Sequence, residues 1–582
     1  MELFDLFATS TLSSTSFSGL LVLAGFVAVA ICLGTSIGGS KRQNLPTPPN
    51  HGFLANSLEV MANLPRLLDW FLEQSLKYGG EGGLGTWTFQ VFMQPRMIVT
   101  HDPENVRHIL TNVNTYGKGP VWRQNFYPIL GDGIFSADFK NWFLQRKRAA
   151  NMFKISNFKR SMLDAVRSKC LKCLDLISAQ VRRASSSHPE TAIVNLEEYF
   201  FKMTLDTIGE IAFGQDLGSL SGKNVEFMRA FDFCQMYASD LFFLPGPAWF
   251  WNYCTPLGWR FRRQTQVLET HATCVVKEMI TRALDEGALQ DDPEGENRED
   301  VGVGRKETIL SYFLQKESQE SLKNDLRTVR YLSDVIMNFQ IAGRDTVAQA
   351  FSWAVHLLSL HPDIQEKAHQ EALLVLGSLR AAEAATFDQI NRLEYMRAVV
   401  TEVLRLYPSV PKEGKWVFKD DALPDGSRVS KGSWVVFSPY VMGRLESLWA
   451  DAAKFKPERH LDKPKPSNFV FTAFQGGPRI CMGMNLAYMQ LQYGLALLLL
   501  SCQFAPLNGG EDVLPLQHST TLPTQRGVRV NVTLRDTANT LKNRQDVQNE
   551  ECEDFGTRDW PLMNCDTRKR NVIAWQYYIF TF

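Results

Sequence analysis

The sequence lacks an excess of either charge. Its 582 residues include 62 lysines and arginines against 62 aspartates and glutamates, so no overall field draws the chain to nucleic acid. It also lacks a regular cysteine framework. The ten cysteines are scattered, and the one close pair, Cys170 and Cys173, has no second pair to complete a zinc site. These absences argue against a nucleic-acid-binding protein and a disulfide-rich domain, and they suit a reducing compartment with free thiols.

No internal repeat and no strong compositional bias divide the chain. Hydrophobic residues make up 45% and charged residues 21%, which is typical of a globular protein. Apolar residues recur mostly at intervals of three and four, with a few alternating stretches such as "WTFQVFMQPRMIVT", which reads as two strands around a turn. The sequence therefore predicts one large domain over residues 55–535 that is mainly α with a minor β component (α+β).

The N-terminus contains a long run without charge. Phe17–Ile37 is apolar over about twenty residues, enough to cross about 30 Å of hydrocarbon. Glu2 and Asp5 precede the run and Lys41 and Arg42 follow it, an asymmetry that places the bulk of the chain on the cytosolic side. A cleaved signal peptide is the alternative, although its basic residues would normally come before the apolar run.

These patterns predict five regions and a location. The expected location is a membrane, crossed once, with the large domain in the cytosol. The regions are a luminal N-terminus (1–16), a transmembrane anchor (17–37), a Pro-rich linker (38–54), the large domain (55–535) and a C-terminal tail of unknown role (536–582).

One cysteine lies in a setting suited to a metal ligand. In "FTAFQGGPRICMG", Cys481 comes just before an apolar helix-like run, where free backbone N–H groups and the helix dipole favour a thiolate. Gly477 and Gly483 allow close approach of a flat ligand. Phe474 can shield the sulfur, and Arg479 can pair with an anionic group of that ligand. A small buried hydrophobe is the ordinary alternative for a lone cysteine.

The pattern FxxGxRxCxG resembles the haem-binding loop of the cytochrome P450 family. The five residues that carry it are Phe474, Gly477, Arg479, Cys481 and Gly483. The resemblance implies a P450-type fold and haem b as cofactor, with Cys481 as the axial ligand of the iron. It also implies that the other four residues contact or support the haem.

Further segments resemble other elements of the same family. Glu402 and Arg405 in "TEVLRLYP", with Arg459 in "FKPERH", look like the Glu-x-x-Arg and Pro-Glu-Arg elements, which support the region under the haem. An ordinary surface ion pair is the alternative. His460 stands where the family usually has an aromatic residue, and we expect this departure to leave the pairing untouched.

A long proline-free pattern, from about Leu322 to His356, predicts a helix that crosses the domain. In its middle, Gly343 weakens the helix, and the Thr346 hydroxyl can bond the carbonyl of Ala342 and open a groove. The segment "AGRDT" resembles the family's proton-delivery element. The resemblance makes Asp345 and Thr346 the acid and the alcohol that supply protons during oxygen activation.

Trp142 and Arg146 share one helical face. They match the family's Trp-x-x-x-Arg, which contacts a haem propionate. The neighbouring basic residues suggest either a solvated helix face or a docking patch for an acidic protein. Since nothing in the chain resembles a flavin or nicotinamide site, electrons must come from a partner, an NADPH-dependent flavoprotein reductase.

Several phrases, including "DDALPDGSRVSKGSWVVFSPYVMGRLESLWADAAKFKPERHL", resemble the fatty-acid ω-hydroxylase branch of plants, fungi and protists. The expected function is an O2-dependent hydroxylation of a lipophilic substrate, a fatty acid at or near its terminal carbon, next to a membrane. "MYASDLFFLPGPAWFWNY" fits either a surface that dips into lipid or core packing. Two other functions stay open: a reductase-independent isomerase or lyase of peroxides, which would leave Asp345 and Thr346 unexplained, and a haem sensor.

Overall fold

The computed structural model describes residues 44–150, 153, 162–185, 190–285, 308, 313, 326–461 and 464–535. The predicted transmembrane anchor and the C-terminal tail lie outside these residues. Among the helices that are described, none has both the length and the apolar composition required to cross a bilayer. The chain divides into a unit that ends at Arg535 and a second unit, Asp536–Phe582.

Helices dominate the described chain, as predicted. In chain order they are α1 Ser57–Ala62, α2 Leu67–Tyr78, α3 Pro103–Thr111, α4 Gly119–Leu130, α5 Phe139–Ala150, α6 Leu163–Ala184, α7 Leu196–Phe213, α8 Val225–Asp240, α9 Ala248–Cys254, α10 Pro256–Asp285, α11 Leu326–Leu360, α12 Pro362–Leu376, α13 Leu379–Ala382, α14 Phe387–Asn391, α15 Glu394–Leu406, α16 Pro439–Met442 and α17 Met484–Ser501. Two short 3-10 turns, Pro457–His460 and Gly477–Arg479, carry candidate site residues.

The strands form three small sheets. They are β1 Trp87–Phe89, β2 Met97–Val99, β3 Tyr116–Gly117, β4 Thr191–Asn195, β5 Glu413–Val417, β6 Asp421–Ala422, β7 Arg428–Val429, β8 Trp434–Phe437, β9 Cys502–Pro506 and β10 Arg529–Leu534. The largest sheet has the order β1-β2-β8-β5-β3, and only its β2–β8 pair is parallel. The others are β4-β10-β9 and β6-β7. The predicted hairpin of β1 and β2 is confirmed, with Trp87 opposite Val99.

Helix α11 runs through the core of the domain. It has 35 residues, which correspond to about 52 Å, and it continues past the predicted end at His356 because the next proline is Pro362. A Cβ at Gly343 would lie 2.5 Å from Ile208 of α7. Gly343 therefore allows two helices to pack closely, and the helix remains α-helical there instead of breaking.

Cys170 and Cys173 face the core from α6. Both thiols are buried, and burial raises the pKa of each above the ordinary value of a thiol. Cys170 also lies near Gly494 of α17, where an added Cβ would be 3.4 Å from the sulfur. The pair thus packs helices together, and no cluster of metal-ligating side chains occurs among the described residues.

Candidate active site

The Cys481 loop lies between the turn Gly477–Arg479 and α17. The Cys481 amide donates to the Phe474 carbonyl over 2.9 Å, and the Phe474 ring packs against Tyr488 with centroids 5.3 Å apart. The Cys481 side chain is exposed, yet enough protein surrounds the thiol for desolvation to raise its pKa. The thiol therefore lines a recess in the domain and does not project from its surface.

Burial outweighs the groups that favour a Cys481 thiolate. The Gly483 amide and Arg146 lower the pKa of the thiol, but desolvation has the larger effect and the net direction is upward. The expected stabilisation at the helix N-terminus is present but is not sufficient alone. A coordinating metal ion removes the proton from a bound thiol, so this cysteine suits a metal ligand better than a free thiolate.

The two loop glycines have different surroundings. Gly477 has φ of +62°, and a Cβ there would lie 2.6 Å from the carbonyl oxygen of Leu110, so the backbone conformation and its neighbour both require glycine. At Gly483 an added Cβ would meet no atom closer than 3.8 Å. Contacts within the protein therefore explain Gly477 but do not explain Gly483.

Helix α5 brings Trp142 and Arg146 to the Cys481 loop. The Arg146 guanidinium donates to the Ile480 carbonyl over 2.8 Å, and the Arg479 guanidinium lies 4.4 Å from the centre of the buried Trp142 ring. Arg479 also donates to Asp138 over 2.9 Å. The sequence predicted these three residues from separate segments, and the structure brings them together beside Cys481.

Two lysines that sequence reasoning missed join this group. Lys118 precedes α4 and Lys415 lies in β5, and both nitrogens contact the carboxylate of Glu413, at 3.5 and 3.2 Å. Desolvation lowers the pKa of Lys415 to about 8, although Glu413 opposes this effect. Lys415 and Val417 are the buried residues of the strand "EGKWV", and a buried lysine requires a partner. No sequence pattern indicated it, because apolar and polar residues do not alternate along this strand.

The group as a whole carries surplus positive charge. Four cations face two carboxylates, which leaves two positive charges without a counter-ion, and the buried Arg479 Nε has no hydrogen-bond partner. The members are Lys118, Arg146, Lys415, Arg479, Asp138 and Glu413. Haem b has two propionate carboxylates and an iron that accepts a thiolate. These residues fit that cofactor: Cys481 would hold the iron, and the cationic group would hold the propionates.

Glu402 is the centre of a buried network. Arg405 of the same helix donates two hydrogen bonds to its carboxylate, both 2.8 Å, and Arg459 donates one of 2.9 Å. The Glu402 and Arg405 side chains are fully buried, so the alternative of a surface ion pair is wrong. Burial opposes ionisation of Glu402, but hydrogen bonds from Arg405 and His460 lower its pKa to about 2.

His460 departs from the expectation for this network. Its Nε2 lies 2.8 Å from Glu402 Oε2, so the residue takes part in the pairing that we expected it to leave untouched. A histidine at this position can donate an N–H to the carboxylate, whereas an aromatic hydrocarbon ring cannot. The guanidinium groups use their remaining donors on backbone carbonyls, those of Gly443, Ala450, Asp451, Ala452 and Lys454.

Thr346 lies on a narrow accessible face of α11. Between Leu332 and Ser359 every residue is buried except Ala342, Gly343 and Thr346, which share one side of the helix. The Thr346 hydroxyl donates to the Ala342 carbonyl over 2.6 Å. The predicted hydrogen bond is therefore present, and the helix opens to a recess at this turn without a break.

Asp345 points to a different set of partners. Its carboxylate accepts from Arg344 over 2.7 Å, and the same guanidinium nitrogen lies 2.7 Å from Asp232 of α8. Desolvation raises the pKa of Asp345 to about 6, against the opposing effect of Arg344. A carboxyl group with a pKa near neutrality can both accept and release a proton. Sequence reasoning missed the contacts with Arg344 and Asp232. Arg344 is the residue next to Asp345, so no helical spacing indicates the pair, and Asp232 lies in a different helix.

Comparison with known proteins agrees with this geometry. The family model "Cytochrome P450" matches residues 82–530. The chain belongs to the cytochrome P450 family. Among similar proteins, Cytochrome P450 704B1 of Arabidopsis thaliana is 30% identical over 80% of this chain and 90% of its own length. Cytochrome P450 86B1 of the same plant is 31% identical over 84% and 85%, and Cytochrome P450 704C1 of Pinus taeda is 32% identical over 78% and 85%.

Membership in the P450 family establishes the general chemistry. The protein is a monooxygenase with haem b as cofactor, and the family uses O2, a redox partner and lipophilic substrates. The haem, when bound, supplies the one-electron and oxygen chemistry. The protein's part is to bind and orient that cofactor.

An apolar cavity in this P450 is linked to the accessible turn of α11 through two consecutive residues of the chain. The connection is through Val410, which lines the cavity and follows Ser409, whose hydroxyl donates to the Thr346 carbonyl over 2.6 Å. Cys481, Asp345 and Thr346 do not line it. The lining residues are mostly aromatic or aliphatic: Phe71, Met97, Trp122, Phe126, Ser239, Phe242, Phe243, Val410, Lys412, Glu413, Gly414, Trp434, Val436 and Thr520.

Proposed function

We propose that this monooxygenase hydroxylates a long aliphatic substrate, a fatty acid at or near its terminal carbon. The observation that carries the proposal is the apolar cavity, whose walls offer phenylalanine, tryptophan, methionine and valine side chains. Such walls favour an alkyl chain. The resemblance of the segment between Asp420 and Leu461 to the ω-hydroxylase branch adds support, although that segment consists mainly of framework.

Reconstitution of the holoenzyme with a flavoprotein reductase and NADPH tests the proposal. Saturated fatty acids of increasing length would be supplied, with a compact polycyclic lipid as the comparison substrate. We expect NADPH-dependent products that carry one hydroxyl near the methyl end, identified by mass spectrometry. Oxidation of the polycyclic lipid alone would contradict the proposal. Products formed from lipid hydroperoxides without reductase would instead support the isomerase or lyase alternative.

We also propose that Asp345 and Thr346 deliver protons in this reaction. Their side chains point to separate partners, since Thr346 bonds the Ala342 carbonyl and Asp345 bonds Arg344. The pKa of Asp345, raised to about 6, supports a role in proton transfer. The accessible position of Thr346 on α11 supports its place at the end of the relay.

The electron donor that we propose is an NADPH-dependent flavoprotein reductase that docks near α5. Lys147 is exposed and Arg148 partly exposed on this helix, and acidic partners are attracted to such basic surfaces. Arg146 is not part of the docking surface, because its guanidinium turns inward to Ile480. The rest of the predicted basic cluster, Lys154, Lys159 and Arg160, lies outside the described residues.

We propose further that the protein is anchored in the endoplasmic reticulum membrane, with the catalytic domain in the cytosol. The apolar segment Phe17–Ile37 supports this location. Trp249, Tyr253 and Trp259 on α9 and α10 are at least half exposed, and exposed aromatic side chains favour a membrane interface. We expect deletion of residues 1–37 to change the protein from carbonate-resistant to carbonate-extractable in membrane fractions. A deletion variant that stays carbonate-resistant would contradict the anchor.

A further inference from the structure

Lys412 brings a charged group to the wall of the apolar cavity. Its ammonium donates to three consecutive backbone carbonyls, those of Gln517 at 3.4 Å, His518 at 3.2 Å and Ser519. Part of the side chain remains accessible, while the protein around the ammonium desolvates it and lowers its pKa to about 7. The lysine therefore lies between a loop of carbonyls and an otherwise apolar space.

Three side-chain atoms of the cavity residues have no hydrogen-bond partner. The indole nitrogens of Trp122 and Trp434 and the hydroxyl of Thr520 are buried without a hydrogen bond. Indole and ammonium nitrogens only donate. Since an unpaired buried donor is unfavourable, the cavity suits a ligand that supplies hydrogen-bond acceptors.

No carboxylate of the described residues lies within ion-pair distance of the Lys412 ammonium. Glu413, the next residue, contacts Lys118 and Lys415 instead. Asp240 is close enough for its charge to oppose the lowering of the Lys412 pKa, but its carboxylate contacts His518 Nδ1 at 2.6 Å and not the ammonium. The carbonyl oxygens around Lys412 solvate its charge but do not neutralise it, and a buried cation without a contacting counter-ion is unfavourable. An anionic ligand group would supply that counter-ion.

We infer that Lys412 binds the carboxylate of the fatty-acid substrate inside the cavity. The inference rests on the proposed function and assigns the residue that distinguishes an acid from an uncharged chain of the same length. The contact with the Gln517 carbonyl is the longest of the three, so a carboxylate oxygen can replace it at the smallest loss. The aromatic walls then hold the alkyl chain, and Thr520 supplies a second donor.

An anchored carboxylate also constrains where oxidation occurs. Lys412 is two residues from Val410, a distance of about 7 Å along an extended chain, and Val410 follows Ser409, whose hydroxyl bonds the Thr346 carbonyl. The number of carbons between the carboxylate and the oxidised position is then set by the fold of the chain within the cavity. Loss of the anchor would spread oxidation over more positions.

Ligand binding to the holoenzyme tests this inference without turnover. The Soret shift would be titrated with dodecanoic acid and with its methyl ester, for the natural protein and for Lys412→Met. We expect the natural protein to bind the acid about tenfold or more tighter than the ester, since hydrogen bonds to charged groups contribute about 1.5 to 3 kcal/mol. In Lys412→Met the acid and the ester should bind nearly equally, and the product distribution from the acid should broaden.

The matched control is Lys419→Met, which removes an exposed lysine outside the cavity and should keep the preference for the acid. An equal preference in Lys412→Met and the natural protein would overturn the inference while the proposed function stands. The inference would also be overturned if the natural protein did not bind the acid more tightly than the ester. This measurement does not depend on whether the variant folds. If the natural protein with reductase neither binds nor oxidises either probe, the proposed function fails and the inference fails with it.

Discussion

Two regions of this P450 bury charge in opposite ways. In the Glu402 network the carboxylate accepts from two arginines and a histidine, and no buried polar side-chain atom of Glu402, Arg405 or Arg459 is left without a partner. In the cationic group near Cys481, positive charges outnumber carboxylates, and Arg479 Nε is unpaired. The same contrast separates the network from Lys412, whose ammonium contacts no carboxylate among the described residues and senses Asp240 only at longer range.

The difference distinguishes buried charges that stabilise the fold from buried charges that bind a ligand. A buried charge that the protein satisfies completely holds segments together, because removal of any member leaves another uncompensated. A buried charge that the protein leaves in excess destabilises the fold until a ligand neutralises it. Glu402 belongs to the first kind, and Lys415 and Lys412 belong to the second.

The largest expected effect comes from a substitution that removes the iron ligand and leaves the Glu402 network intact. We expect Cys481→Ser to abolish the thiolate Soret signature of the reduced carbon monoxide complex, because serine does not supply a thiolate to the iron. The Glu402 network should keep its hydrogen bonds, so the circular dichroism spectrum should be unchanged. Cys254→Ser, at an exposed cysteine of α9, is the control and should keep the signature. An unchanged spectrum in Cys481→Ser would place the ligand elsewhere.

Breaking the Glu402 network should reduce stability. We expect Glu402→Gln to lower the free energy of unfolding by about 3 to 5 kcal/mol, because two buried guanidinium groups lose their counter-ion. Urea unfolding followed by circular dichroism measures this change. Glu104→Gln removes the same charge from an exposed pair with Arg107 and should cost less than about 1 kcal/mol. If both substitutions lowered the free energy of unfolding equally, the buried Glu402 network would stabilise the fold no more than an exposed ion pair does.

The pKa of Glu402 gives the same network a defined pH dependence. The folded pKa of about 2 is below the unfolded value of about 4.3, so the ionised carboxylate stabilises the fold above that unfolded value. The stabilisation, about 3 kcal/mol, is lost as the pH falls from about 4.3 towards 2. In Glu402→Gln this contribution to the acid slope should disappear, and a slope that remains unchanged would assign the effect to other carboxylates.

The sequence reveals linear patterns better than it reveals groups assembled from distant segments. The helical fold, the β1–β2 hairpin and the Thr346 hydrogen bond follow from short-range spacing, and the structure shows all three. Lys118, Asp138, Glu413 and Lys415 come from segments up to about 300 residues apart. No local pattern links them, because tertiary packing alone brings them together.

Interpretation was incomplete where one residue has two possible uses. Gly343 indicated a weak point in α11, and the structure adds that Ile208 of α7 occupies the space that a side chain there would need. His460 looked neutral as a replacement for an aromatic residue, whereas its nitrogen bonds Glu402. In both cases the partner lies far away in sequence, and only the fold shows which use applies.

A smaller effect is expected from a substitution in the proposed proton pathway. We expect Thr346→Ala to lower the product formed per NADPH by about tenfold, with hydrogen peroxide released, since loss of a positioned proton donor typically costs a factor of that order or more. Thr346→Ser keeps the hydroxyl and should keep most of the coupling. Parallel assays of NADPH, peroxide and product measure the ratio. Full coupling in Thr346→Ala would remove the proposed role.

The smallest effect tests whether the surplus positive charge near Cys481 helps to hold the haem propionates. The folded pKa of Lys415, about 8, is below the unfolded value of about 10.4. The charged lysine therefore destabilises the folded state at neutral pH, and stability recovers as the pH rises from about 8 to 10.4. We expect Lys415→Met to remove that recovery and to accelerate haem transfer to an acceptor protein severalfold, because the propionates lose a cation. Lys419→Met should change neither measurement. Unchanged haem loss in Lys415→Met would mean that this surplus charge does not serve the cofactor.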